Sequence, residues 1–176
     1  GKGYMGGGYS QTYPYFDSSN QVWAYDPVTD SWSQVADFGG GARAAATGFA
    51  VNDIGYAGFG IDNAGNHYND LWAYDPTLNT WTTRAPMPAA GRRKPSSFAV
   101  GTKGYVGTGL LPDAATMAND WWAYDPNTDS WTLRANVPGP GRWAAATFTI
   151  GSTGFITGGS DDQYVDRADL HAYDPN

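Results

Sequence analysis

The sequence predicts an all-β propeller of about three and a half four-stranded antiparallel blades, and three observations carry that prediction. The chain repeats itself with a period near 50 residues. Each repeat holds four short runs rich in aromatic and β-branched residues, bounded by Gly, Pro, Asn and Asp. Residues that favour helix are scarce: all 17 acidic residues are Asp, and Lys occurs only at Lys2, Lys94 and Lys103. A 50-residue period with four strands per unit means radially stacked sheets.

The repeat is seen first in four segments reading Trp-Ala-Tyr-Asp-Pro or nearly so, Trp23–Pro27, Trp72–Pro76, Trp122–Pro126 and His171–Pro175. Their Asp residues lie 49, 50 and 49 positions apart. Trp32, Trp81 and Trp131 each follow by six, and Arg43, Arg92 and Arg142 each follow by 17. Phe49, Phe98 and Phe148 come six after the Arg, and Gly55, Gly104 and Gly154 six after the Phe. The units divide at about 1–35, 36–85, 86–135 and 136–176. Strand A is expected over Ala44–Val51, Pro95–Val100 and Ala144–Ile150, and strand B in runs such as Gly104–Val106. Strands C and D are of the Leu71–Tyr74 and Trp81–Arg84 types.

These residues resemble the kelch repeat: Gly-Tyr-x-x-Gly-Gly, then Tyr-Asp-Pro, then Trp about six residues on. The resemblance covers essentially the whole chain. It departs at the glycine doublet, kept as Gly7-Gly8 and Gly158-Gly159 but read as Phe59-Gly60 and Thr108-Gly109, which puts one turn conformation in question. Segments such as Ala36–Arg43 look most like kelch repeats of secreted or surface proteins of bacteria. The resemblance implies a ring of six or seven blades. With strands ordered B-C-D, A-B-C-D, A-B-C-D, A-B-C, a longer parent chain supplying further blades is expected, or else a completing chain.

Positions alike in every blade answer a need of every blade, which is packing. The three Trp after the Asp-Pro turns are expected to wedge between sheets, burying roughly 150–250 Å² each. The alanines Ala44–Ala46 and Ala144–Ala146 are expected on inner strands crowding the axis. Length varies only between strands B and C, where the interval from closing Gly to Asp is 18, 15, 16 and 15 residues. Variable loops on a fixed scaffold are where recognition is usually built. In an antiparallel meander the B–C and D–A connections leave from one edge. The expected binding face therefore combines Tyr13, Tyr15, Phe16, His67, Tyr68, Met117, Tyr164 and Arg167 with a ring of Arg43, Arg92 and Arg142. The competing reading gives the arginines to carbonyls of their own loops.

Net charge −7 and a pI near 4.4 argue against nucleic acid or an anionic membrane as partner. No apolar run approaches the length of a membrane span, and no leader is visible in the first residues. The chain has no Cys, so thiolate chemistry and disulfides are excluded within it. Gly1–Gly6 matches a dinucleotide fingerprint letter for letter, but without the strand-then-helix context that mechanism needs. Some kelch proteins are enzymes, among them copper oxidases resembling galactose oxidase and sialic-acid mutarotases. The first needs two His and a Cys-crosslinked Tyr, and this chain has only His67 and His171, at unlike positions of their blades. Acid–base work of the second kind normally recruits a Glu. Asp161, Asp162, Asp166 and Asp169, and Asp62 with Asn63, Asn66 and Asp70, could offer oxygen ligands to Ca²⁺, though neither follows EF-hand spacing. Otherwise no cofactor is expected.

The leading expectation is a non-enzymatic binding or assembly module, extracellular or at the cell surface, recognising a protein or glycan through the B–C and D–A face. The alternatives are a carbohydrate-active propeller enzyme with its catalytic groups in further blades, and a structural spacer of a surface assembly.

Overall fold

The computed structural model describes residues 1–12 and 15–175, with side chains described outside residues 10–16. Every regular element among the described residues is a strand. The first sheet joins β1 (Gly3–Gly6) to β4 (Val22–Asp26) and β5 (Ser31–Val35), while β2 (Tyr9–Thr12) and β3 (Tyr15–Ser18) form a hairpin projecting from the B–C connection. The second sheet runs β6 (Thr47–Val51), β7 (Ile54–Gly58), β8 (Leu71–Asp75), β9 (Thr80–Arg84) in spatial as in chain order. The third repeats it with β10 (Ser96–Val100), β11 (Lys103–Gly107), β12 (Trp121–Asp125) and β13 (Ser130–Arg134). In the fourth unit a short β14 (Arg142–Trp143) pairs with β17 (Ser160–Asp161), and β15 (Ala146–Ile150), β16 (Thr153–Thr157) and β18 (Leu170–Tyr173) make the sheet. All pairings are antiparallel. The dinucleotide-like Gly1–Gly6 run thus leads into and forms strand β1 (Gly3–Gly6), paired with β4.

The A strands β6, β10 and β15 pack beside one another, which places them at the inner side of the stack. They begin later than the sequence suggests. Ala44–Ala46 and Ala144–Ala145 precede the strands, because the second residue after each constant Arg turns left-handed: Ala45 (φ 57°), Lys94 (φ 53°) and Ala144 (φ 55°). An extended strand cannot pass through that conformation. The alanines lie in the connection entering the inner strand.

Two apolar clusters fill the seams between neighbouring sheets. One gathers Phe49, Tyr56, Phe59, Leu71 and Met87 with Val106 and Tyr124 of the next blade; the other gathers Phe98, Tyr105, Trp121 and Val137 with Ile156. The invariant strand-B glycine makes these seams possible. A Cβ on Gly104 would sit 1.9 Å from the Phe49 ring, and one on Gly154 would sit 2.2 Å from the Phe98 ring, so each Phe lies flat on the next blade's glycine.

The Trp wedges work as the sequence implies where a preceding blade is present. Trp81 packs on Tyr74 and Phe38 and donates its indole N–H to the Ala36 carbonyl at 3.1 Å. Trp131 repeats this on Tyr124 and Phe59, donating to the Ala85 carbonyl at 2.8 Å. The same two alanines donate their backbone N–H to the next blade's C–D turn, Ala36 to Asn79 Oδ1 at 2.8 Å and Ala85 to Asp129 Oδ1 at 2.9 Å. Both main-chain groups of one residue are thereby clamped by the following blade. Trp32 of the first blade is half exposed.

Candidate functional site

The constant arginines are not on the surface. Arg43, Arg92 and Arg142 are at most 2% exposed, and each pairs with an Asp that opens strand C: Asp70, Asp120 and Asp169. Arg142 is bidentate, its two terminal nitrogens donating to Asp169 at 2.6 and 2.9 Å. The same guanidinium groups donate to the carbonyls of Phe59 (3.2 Å), Thr108 (3.1 Å) and Gly158 (3.4 Å) at the end of strand B. They also reach back to carbonyls of the D–A connection at Gly40, Ala90 and Pro138. Each Arg is therefore an internal staple joining three segments of its own blade. The expectation that these arginines face a partner is corrected: a buried guanidinium needs a countercharge and acceptors, and every blade supplies its own.

The Asp residues carry the other half of the staple. Trp72 and Trp122 donate indole N–H groups to the second carboxylate oxygens of Asp70 and Asp120 at 2.9 and 2.8 Å, and His171 takes the equivalent place beside Asp169 at 3.0 Å. The hydrogen bond from Arg142 is the main reason the Asp169 carboxyl is held well below its usual range; burial opposes it, and His171 adds to it. For Asp120 burial is the largest single influence and pushes upward, but Arg92 and Trp122 together hold the carboxyl low. The sequence held a signal for these residues. Asp70, Asp120 and Asp169 each precede the Asp-Pro aspartate by five and keep the period of the repeat.

The glycine doublet keeps one conformation in all four copies. Gly7 and Gly158 have φ of 70° and 68°, and Phe59 and Thr108 take 64° and 59° at the same position. The question the substitutions raised is settled in favour of an unchanged turn. The second glycine is stricter, because a Cβ on Gly60 or Gly159 would lie 2.5 or 2.6 Å from the Ala44 or Trp143 carbonyl oxygen.

The B–C and D–A connections do share a face, and they are hydrogen-bonded to each other. The backbone N–H groups of Arg43, Arg92 and Arg142 donate to the carbonyls of Ser19, Tyr68 and Ala118. Each of the three later B–C loops is organised by one Asp. Asp62 accepts from the backbones of Ala64 and Asn66, Asp113 from Ala115 and Thr116, and Asp161 from Gln163 and Val165. Asn66 and Tyr68 add side-chain bonds that lower the Asp62 carboxyl to about 2. Of the carboxylates weighed as Ca²⁺ ligands, Asp62 and Asp161 hold their own loops, Asp70 and Asp169 pair with Arg43 and Arg142, and Asp166 accepts from the Ser160 hydroxyl. Among the described residues no three His, Cys, Asp or Glu stand grouped to hold a metal ion.

The loop candidates divide sharply. Tyr13 and the side chains of Tyr15 and Phe16 lie outside the described residues. Met117 is buried, its backbone bridged to Leu110, so it does not face a partner. Tyr68 lies half-buried under the Arg43 guanidinium, 3.9 Å from ring centroid to Cζ, and donates its hydroxyl to Asp62 at 2.8 Å. His67 is half-buried, its Nδ1 3.2 Å from the Gly65 carbonyl oxygen. Arg167 is ion-paired with the buried Asp161. Tyr164 alone among the described candidates is fully presented, 72% exposed on a left-handed backbone (φ 58°). A cavity of about 520 Å³ opens elsewhere, in the seam between the first two sheets, lined by Tyr4, Met5, Phe49, Tyr56 and Trp81. Of the candidates only Arg43 touches it.

Directly after each constant Arg, the alanines read as inner strand, while Arg93, Lys94 and Trp143 carry no repeat signal. These positions read Ala44-Ala45, Arg93-Lys94 and Trp143-Ala144, so they vary on an invariant backbone and lie on the same face.

Comparison with known proteins agrees with this architecture. The model of the Kelch motif matches residues 15–39 and 56–88. The solved structure titled "Structure of YjhT" superposes with a TM-score of 0.76 at 18% identity, over 98% of this chain and 66% of that one. The chain thus spans just under two thirds of that structure's length. No curated protein matches the sequence. Among the described residues no helix is long and apolar enough to cross a membrane. Kelch motifs over two stretches of the sequence and stacked four-stranded sheets in the structure give this chain the fold of a kelch-type β-propeller.

Proposed function

We propose that the chain is a non-enzymatic binding or assembly module, extracellular or at the cell surface, that recognises a protein or glycan partner through its B–C and D–A face. One observation carries the reading. The polar residues that recur in phase, the Arg–Asp staples and the turn Asx residues, are engaged inside the scaffold, whereas all variation in length between blades falls in the B–C connections of a single face. Tyr164 stands out from that face, and a rigid aromatic with two rotatable bonds is an economical anchor for a partner.

The test is binding of the intact protein to a glycan array and to a panel of surface proteins from its own host, repeated with Tyr164→Asn. Asn accepts the left-handed backbone at that site, so the variant keeps the loop. Retained affinity in the variant, or turnover on a panel of sugars, would overturn the reading. Fractionation of host cells checks the compartment.

A further inference from the structure

Among the described residues, six of the ten Lys and Arg side chains are matched with carboxylates: Lys2, Arg43, Arg92, Lys103, Arg142 and Arg167. Arg84 and Arg134 end the outer strands β9 and β13. The remaining two, Arg93 and Lys94, are adjacent, and no carboxylate of the described residues lies within ion-pair reach of either. This happens in a chain with net charge −7, where acids are plentiful. Two neighbouring cations without a countercharge repel each other, and nothing in the fold requires them. The neighbouring blades use Ala44-Ala45 and Trp143-Ala144 at the same backbone positions.

The three connections adjoin. Lys94 donates its N–H to the Ala45 carbonyl at 2.8 Å, and Ala144 donates to the Lys94 carbonyl at 3.1 Å. The Lys94 ammonium lies 3.9 Å from the centroid of the Trp143 ring. Burial, then the Arg93 charge, lower the Lys94 pKa. Arg93 Nε, on the adjacent residue, and Trp143 Nε1, on the ring beneath the ammonium, are buried with no hydrogen-bond partner among the described residues. A buried donor left unmade is costly, so two such donors on the residues adjoining an unpaired cation leave the cluster open to an acceptor that carries negative charge.

We propose that Arg93, Lys94 and Trp143 form a binding site for a small carboxylate ligand, at the inner end of the B–C and D–A face. The inference rests on the reading of that face as the recognition surface and names what part of it takes. A guanidinium fork matches a carboxylate in shape as well as charge, and the indole N–H adds a further donor. Small size follows from the charge of the whole molecule. A polyanion meets the net −7 over a Debye length of about 8 Å at physiological salt, whereas a single carboxylate feels chiefly the local pair.

The test is calorimetric titration of the full chain with D-glucuronate, succinate and acetate, using methyl glucoside as a neutral control and hexa-aspartate as a polyanion. At least one small carboxylate is expected to bind saturably and the glucoside not at all. The variant R93A/K94A, which copies the Ala44-Ala45 backbone of the neighbouring blade, is expected to weaken binding at least tenfold with an unchanged melting temperature. Equal affinity in that variant, failure of all three carboxylates to bind, or binding of hexa-aspartate alone would overturn the proposal. If Tyr164→Asn abolishes partner binding while R93A/K94A leaves it intact and no small carboxylate binds, the recognition face stands and this site falls.

Discussion

Arg92 donates through both terminal nitrogens to the two carboxylate oxygens of Asp120, at 2.5 and 3.0 Å, with the guanidinium 1% exposed. The pair ties the start of strand C to the D–A connection, and the Thr108 carbonyl joins the same guanidinium from the end of strand B. Removing one partner is therefore unlike removing both. Asp120→Ala leaves a buried cation unmatched and is expected to destabilise by about 3 kcal/mol. The double variant R92M/D120A, measured by urea denaturation, is expected to cost less than the two single changes summed. Additive costs would show that the pair does not act as a unit.

Acid should loosen the same staples. Unfolded Asp carboxyls take up protons near pH 4 (about 3.9), whereas Asp120 and Asp169 in the folded chain, with Asp62 at about 2, hold out to lower pH. Between those limits the unfolded state binds more protons, so stability is full above about pH 4 and falls as pH drops through the folded values. The urea midpoint should be level from pH 7 to about pH 5 and decline below about pH 4. A midpoint flat down to pH 2.5 would contradict it.

The glycine doublet predicts an asymmetry. At Gly158 only the backbone angle is special, and Phe59 and Thr108 show that other residues accept it, so Gly158→Ala should cost about 1–2 kcal/mol. At Gly159 the added Cβ also meets the Trp143 carbonyl oxygen at 2.6 Å. Gly159→Ala should lower the melting temperature clearly more than Gly158→Ala. Equal shifts would remove the steric part of the argument.

Asp129 accepts from the Ala85 N–H of the preceding blade at 2.9 Å and from the Tyr124 hydroxyl at 2.6 Å, on a left-handed backbone (φ 48°). Asn79 makes both bonds in the previous copy with φ 52°. Asp129→Asn should therefore be nearly neutral, and Asp129→Ala should cost about 1–2 kcal/mol for the two lost bonds. Thermal melts of the two variants check the difference.

The scaffold was legible because the copies control for one another. Spacing alone placed strands B, C and D and the Trp wedges, since the residues that carry them recur in phase. The start of strand A was not legible, because Ala44, Ala45 and Ala46 fit an inner strand by size and only the left-handed turn at Ala45 excludes them. The arginines were misplaced for a related reason. A constant Arg invites a surface reading until its acid is found; Asp70 and Asp169 read as members of separate acidic clusters and Asp120 stands alone, which masks their common phase. Met117 lies in a loop that varies, which invites a surface reading, but its backbone bridge to Leu110 accompanies a buried side chain. Arg93, Lys94 and Trp143 escaped notice because variation in composition at a position of fixed length leaves no gap in the spacing.

The clamp on Ala36 and Ala85 bears on how such an array lengthens. Asn79 with Trp81, and Asp129 with Trp131, seize an amide hydrogen and a carbonyl oxygen, groups that any residue but proline offers. The grip is indifferent to the side chains of the strand it holds. A unit duplicated within the gene needs no matching change in its neighbour's outer strand for this part of the contact, and the fit is set instead at the seam, where Phe49 meets Gly104 and Phe98 meets Gly154.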